Sequence, residues 1–206
     1  MPRAKQRTPE LRDRLLQVAV ATLATDGVAG FTTRNVARGA NTSAPAVYEL
    51  FGDKAGLVRE MFFEGFRQLR GRFDGADSED PRADLVRVIE TFRGFVRDNP
   101  MLAEVMFSRP FVDFDPGPLE EKAGSAVRLF VVGHVQRCID AGLLAGDATD
   151  IAHVLVSMTQ GLAATERAGW LVRSQASVDR RWDVAIGAVL DGLRPSPSGR
   201  ARKRRR

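Results

Sequence analysis

Apolar residues return at three- to five-residue intervals along almost the whole chain, and helix start and stop signals punctuate the polar positions between them. Thr8-Pro9-Glu10 reads as a start, with a Thr cap, Pro in the first turn and an acid near the positive end of the dipole. Leu11, Leu15, Val18 and Leu23 carry this helix on, and Asp26-Gly27 stops it. Thr32 or Thr33 is placed to cap a second helix through 39, and Ser43 a third through 50. Asp53 is placed to cap a fourth that runs through Leu57, Met61, Phe62, Phe66 and Leu69. The polar run 74–81 breaks the pattern. Further helices are expected at 82–98, 101–107, 119–141 and, from an Asp147 or Thr149 cap, to 168. A last helix, capped by Ser177, takes in Trp182, Ile186, Val189 and Leu193 before Pro195. Residues 109–118 hold three prolines and a glycine and read as a loop. No segment alternates with the period of a strand, so the expected fold class is all-α, with about nine helices.

Composition narrows the class without naming a function. The 206 residues are 44% hydrophobic and 28% charged, ordinary for a globular chain, and no apolar run is long enough to cross a bilayer. The basic start followed by the apolar run 15–24 has the order of a signal peptide. Glu10, Asp13 and Gln17 and the helical period through both parts argue instead for a helix of the fold. The single cysteine, Cys138, excludes an intramolecular disulfide and fits a reducing, cytoplasmic setting. The net charge of +5 hides a gradient: residues 1–59 carry +4, 60–199 carry −5, and the seven residues from Arg200 to Arg206 carry +6. That asymmetry divides the expected organisation into a basic first domain at 8–52, a helical body at 53–194, and a disordered basic tail at 195–206.

Residues 32–51, TTRNVARGANTSAPAVYELF, hold two short capped helices separated by Ala40-Asn41-Thr42. That is the layout of a helix-turn-helix, whose second helix meets DNA through its N-terminal residues. Asn41 stands where the turn calls for a left-handed residue, and Val36, Ala37 and Val47 can form the apolar seam. The stretch 15–57 resembles the DNA-binding domain of TetR-family transcriptional regulators. The resemblance rests on Gly27, Thr32/Thr33, Val36-Ala37, the turn ending in Ser43, Val47-Tyr48, Phe51 and Asp53-Lys54. Asn41, Thr42 and Pro45 depart from the family pattern, and Pro45 changes what the reading helix offers to bases. Tyr48 and Lys54 are the foremost phosphate contacts by chemistry and by resemblance, with Thr33, Arg34 and Ser43 behind them. Base reading falls to Ala44, Pro45, Ala46 and Glu49, with thymine methyls and groove shape outweighing hydrogen-bond readout.

The resemblance implies that the remainder binds a small effector and forms the dimer. Ten of the twelve phenylalanines lie between Phe62 and Phe130, which suits either an apolar effector pocket or simple core packing. The pocket residues expected are Phe66, Phe92, Phe95, Phe107, Phe130, His134 and Met158. Helices eight and nine are the expected homodimer faces: Gly161, Ala164 and Ala168 permit close crossing, and the Trp182 stripe packs either across the dimer or onto its own subunit. His134 and Cys138 share a helix, but no Cys or His cluster completes a metal site. No nucleophile elbow, P-loop or dinucleotide fingerprint is present, so neither a cofactor nor an enzyme is expected. The expected function is a sequence-specific regulator that binds an operator in double-stranded DNA as a dimer and is released by ligand. The alternative is a low-specificity, nucleoid-type DNA binder acting through the basic tail.

Overall fold

A computed structural model describes residues 9–75, 78–171 and 174–196. Among these it holds nine α-helices and no strand: α1 (Pro9–Gly30), α2 (Thr33–Gly39), α3 (Ala44–Phe51), α4 (Lys54–Arg72), α5 (Pro81–Asp98), α6 (Pro100–Phe107), α7 (Pro118–Asp140), α8 (Ala148–Arg167) and α9 (Gln175–Gly192). No helix among the described residues is long and apolar enough to cross a membrane. The Thr8 cap and the tail 197–206, with its Arg200–Arg206 charge run, lie outside the described residues.

The signals read from the sequence act locally, with two exceptions. Gly27 takes φ +65 and breaks α1 where Asp26-Gly27 was expected to end it; one further turn follows to Gly30. Thr32 accepts the Asn35 amide at 3.2 Å, Asp53 the Gly56 amide at 2.7 Å, and Asp147 the amides of Thr149 and Asp150. Ser43 occupies the cap position of α3 without a side-chain capping bond. Ser177 does not cap α9. Ser174 does, accepting the Ser177 amide at 3.3 Å, while the Ser177 hydroxyl is buried inside the helix against Arg181.

The described chain packs as two units, one comprising the residues up to Gln68 with Asn99–Gly124, the other Leu69–Asp98 with the residues from Ser125 onward. In the first, α1 packs on α2 and on α6, and α2 on α3, around fully buried Leu15, Phe31, Val36, Val47, Leu57 and Met61. Ion pairs from Arg12 to Glu60 and from Arg59 to Glu120 tie α4 to α1 and to α7. The loop 108–117 folds back through its phenylalanines: Phe111 lies 5.1 Å from Phe31, and Phe114 lies 5.7 Å from Phe62.

In the second unit, α8 packs on α5 and α9. Arg93 of α5 donates to both Glu166 oxygens at 2.9 Å and to Asp179 at 2.7 Å, while the Trp182 indole donates to Glu166 at 2.6 Å. Burial pushes the Glu166 carboxyl up, but the Arg93 and Trp182 donors outweigh it and hold the group below the ordinary range. Fully buried Asp84 takes the Ser78 amide and hydroxyl at 2.7 and 2.6 Å and Arg137 at 2.9 Å. Trp182 and Ile186 belong to this unit's own core, whereas Val189 and Leu193 of the same stripe are half-buried. Exposed apolar and small positions on α8 and α9 include Val154, Gly161, Ala164 and Val184, with Ala168 at the C-cap of α8.

Candidate nucleic-acid interface

Helix α2 ends in a turn that sets the direction of α3. Asn41 adopts φ +53, the Thr42 amide reaches back to the Ala37 carbonyl at 2.9 Å, and the Asn41 amide to that of Arg38 at 3.1 Å. This is the paired bonding of a Schellman motif, with Asn in the left-handed position that Gly more often fills. Close approach to α1 is made at Gly39, where a Cβ would stand 2.7 Å from Val18. Val36, Ala37 and Val47 close the seam beneath the turn.

The face of α3 that remains outward is short. Ser43, Pro45, Tyr48 and Glu49 are exposed and Ala44 half-buried. Ala46 is 7% exposed and turned into the core, which corrects its assignment to base reading. An eight-residue helix has room for one buried stripe, and Ala46 shares it with Val47 and Phe51. Thr33 is likewise buried, and its hydroxyl shares a 3.1 Å hydrogen bond with the Tyr48 phenol. Thr33 therefore holds Tyr48, which is half exposed, and does not itself face outward. Arg34 is exposed on α2.

Lys54 begins α4, one residue after its cap. Its ammonium lies 5.8 Å from the Phe31 ring centroid and 5.3 Å from that of Phe111. Two ring faces bias a flexible side chain toward one position, each contact being worth about 0.5–1 kcal/mol at exposed sites. Sequence reading missed both the Thr33–Tyr48 pair and the Phe111 contact. The first could have been found by laying α2 and α3 on helical wheels across the turn. The second comes from a proline-rich loop whose return path no local signal specifies.

The seven expected effector residues are divided between the packing units. Phe66 and Phe107 belong to the first, with ring centroids 5.8 Å apart. Phe92, Phe95, Phe130, His134 and Met158 belong to the second. There Phe130 stacks on Phe73 at 5.0 Å and 9°, with the His134 ring 4.4 Å away; the Phe130 carbonyl lies 3.0 Å from His134 Nδ1. Phe92 and Phe95 are buried in α5, and Met158 is half-buried on α8. An open cleft of about 400 Å³ in the first unit is lined by none of the seven. Cys138 is buried, its thiol 3.2 Å from the Pro81 carbonyl, and burial pushes its pKa up. No group of three His, Cys, Asp or Glu side chains suited to a metal occurs among the described residues.

Two family descriptions match the chain. Residues 15–61 match "Bacterial regulatory proteins, tetR family", and residues 85–189 match "Tetracyclin repressor-like, C-terminal domain". No curated protein matches. Among solved structures, a protein of unknown function from Rhodococcus sp. RHA1 is similar at 27% identity and a TM-score of 0.79, over 93% of this chain and 99% of that one. A bacterial regulatory protein in the tetR family from Rhodococcus RHA1 shares the fold at 17% identity and a TM-score of 0.73, covering 92% of this chain and all of its own. So does the TetR family transcriptional regulator PfmR from Thermus thermophilus, at 17% identity and 0.71, covering 89% and 100%.

Proposed function

The chain belongs to the TetR family of DNA-binding transcriptional regulators, and on that premise we propose that it is a ligand-released repressor that grips a palindromic operator as a homodimer. The observation that carries the DNA reading is the outward face of α3. The Asn41 turn fixes its direction, the Thr33 hydroxyl bond holds Tyr48 upon it, and Lys54 follows at the start of α4. Tyr48 and Lys54 serve the phosphates, with Arg34 and Ser43 beside them. Ala44, Pro45 and Glu49 face the bases: the first two offer apolar contact to thymine methyls, and Glu49 can accept from cytosine.

One such helix makes a small interface, so specificity calls for two related by a two-fold, with reading helices about 34–36 Å apart. Residues 8–52 form the reading domain in this account, and 53–194 the effector and dimer region. The exposed face of α8 and α9, with Val154 and Val184 and the small Gly161, Ala164 and Ala168, is the dimer surface. Helix α4 begins at the reading head and continues into the second packing unit, so a state that shifts α4 moves Lys54. An apolar effector releases DNA by binding that shifted state more tightly than the DNA-bound one.

The test is selection of bound fragments from source genomic DNA, followed by footprinting. A pseudo-palindrome with half-sites centred about one helical turn apart is expected. Protection that is asymmetric, or bound fragments with no shared sequence, would count against the reading.

A further inference from the structure

We propose that the cleft enclosed by α1, α4 and α6 is a ligand site for a small organic cation bearing hydroxyl or amide groups, separate from the apolar effector expected among the later helices. The cleft lies wholly within the first packing unit and has a volume of about 400 Å³. That falls within the range of small-molecule sites, about 300–1,000 Å³.

Its chemistry differs from that of a core void. The floor is apolar, formed by buried Leu16, Met61 and Leu102. The rim is polar: Asp13 and Gln17 come from α1, Gln68 from α4, and Asn99 from the cap of α6. A ligand with a carbon body and several hydrogen-bonding groups fits such a lining better than a bare ion, which needs no floor, or a hydrocarbon, which offers nothing to the polar rim.

The sign of the charge follows from which groups are already paired. Glu64 takes the Gln68 amide at 2.5 Å and is paired with Arg67, so the one cation of the lining faces a carboxylate of its own helix. Arg12, the residue before Asp13, is drawn to Glu60. Asp13 makes no ion pair among the described residues, and it stands at the mouth of the cleft with no second cation in the lining to face it. The lining thus keeps one net negative charge beside an apolar floor, the complement of an amine on a short carbon skeleton. An occupant reaching from Asp13 to Asn99 joins α1, the helix on which α2 packs, to α6. It couples to DNA binding by linkage to the extent that it binds the free and the DNA-bound arrangements of α1 and α6 with different affinity. This last step rests on the regulator reading; binding itself does not.

The experiment is isothermal titration of the full-length, DNA-free protein with ethanolamine, glucosamine, putrescine, agmatine and spermidine, each beside a neutral counterpart such as glucose for glucosamine. At least one amine is expected to saturate at one per chain, and its neutral counterpart to bind about tenfold more weakly or less. Asp13 is exposed and makes no hydrogen bond or ion pair among the described residues; Asp13→Asn should weaken the amine at least about fivefold, and Asp13→Lys should abolish binding. The proposal is overturned if no amine saturates by about 10 mM, if neutral counterparts bind equally, or if Asp13→Asn changes nothing. Because no DNA is present, failure here leaves the operator reading standing, and failure of operator binding leaves this one standing.

Discussion

Replacing Gly56 by alanine would ordinarily strengthen a helix, since Gly costs about 1 kcal/mol relative to Ala in a helical interior. Here the opposite sign is expected. A Cβ at Gly56 would fall on the Phe51 carbonyl oxygen, more than an ångström inside the 3.0 Å that Cβ atoms keep from their neighbours. The obstructing atom is backbone, at the end of α3, and cannot rotate aside as a side chain can. Either the Phe51–Asp53 corner opens or the first turn of α4 shifts, and overpacking of this kind costs about 1–3 kcal/mol. The gain in propensity offsets part of that, leaving a net loss of up to roughly 2 kcal/mol. Gly94, inside α5 with nothing within 4 Å of its would-be Cβ, is the control, and Gly94→Ala should gain up to about 1 kcal/mol. Urea unfolding followed by circular dichroism reads both. The displaced corner sits between Tyr48 and Lys54, so DNA affinity should also fall in Gly56→Ala and hold in Gly94→Ala. Equal stabilisation by the two substitutions would refute the reasoning, because it would mean that α3 does not press on the start of α4.

Lys54→Ala should weaken binding to all sequences alike and reduce the salt slope by about one unit, measured by fluorescence anisotropy across salt; loss of a single base preference would refute the phosphate role. Arg93→Ala strips Glu166 and Asp179 of their shared partner inside the second unit; because Asp179 is half exposed and Glu166 keeps the Trp182 donor, the cost in urea unfolding should be about 1.5–3 kcal/mol. Burial raises the Asp84 carboxyl, but the Ser78 hydroxyl and amide and Arg137 outweigh it and hold the group at about 2, below its ordinary 3.8. A lowered carboxyl contributes stability above its unfolded value and loses it as pH falls. The stability difference between the native chain and Asp84→Asn should therefore be full above about pH 4 and shrink toward pH 2. A pH-independent difference would refute the charged network.

Much of this was legible because it is local. Asn41 could be assigned its left-handed role from the turn alone, the Asp53 cap from its position before an apolar period, and the other caps to within a pair, Thr32 or Thr33 and Asp147 or Thr149, of which the first of each proves to be the cap. What failed needed knowledge of the packing partner. Ala46 lies in the reading stretch of α3, but only the way α3 seats on its unit decides that its methyl is buried. The Trp182 stripe announced a buried face without saying whether its own unit or a partner buries it. Glu166, invisible as a partner from sequence, settles that by accepting the indole N–H. Ser177 lost the cap to Ser174 because both are serines, and the helix starts wherever the first free amides find an acceptor. The cleft at α1, α4 and α6 is assembled from residues as far apart as Asp13 and Leu102, and no spacing in the chain foretells it.

The central claim is that the α3 face reads sequence and that DNA affinity does not come from basicity alone. Its most direct measurement is the ratio of affinities for a selected operator fragment and a shuffled duplex of equal composition, at about 150 mM salt. A ratio of roughly 10³ or more is expected, collapsing on Glu49→Ala with Pro45→Gly, the base-facing side chains, and surviving deletion of Arg200–Arg206. A ratio near one, or binding lost with the tail alone, would contradict it.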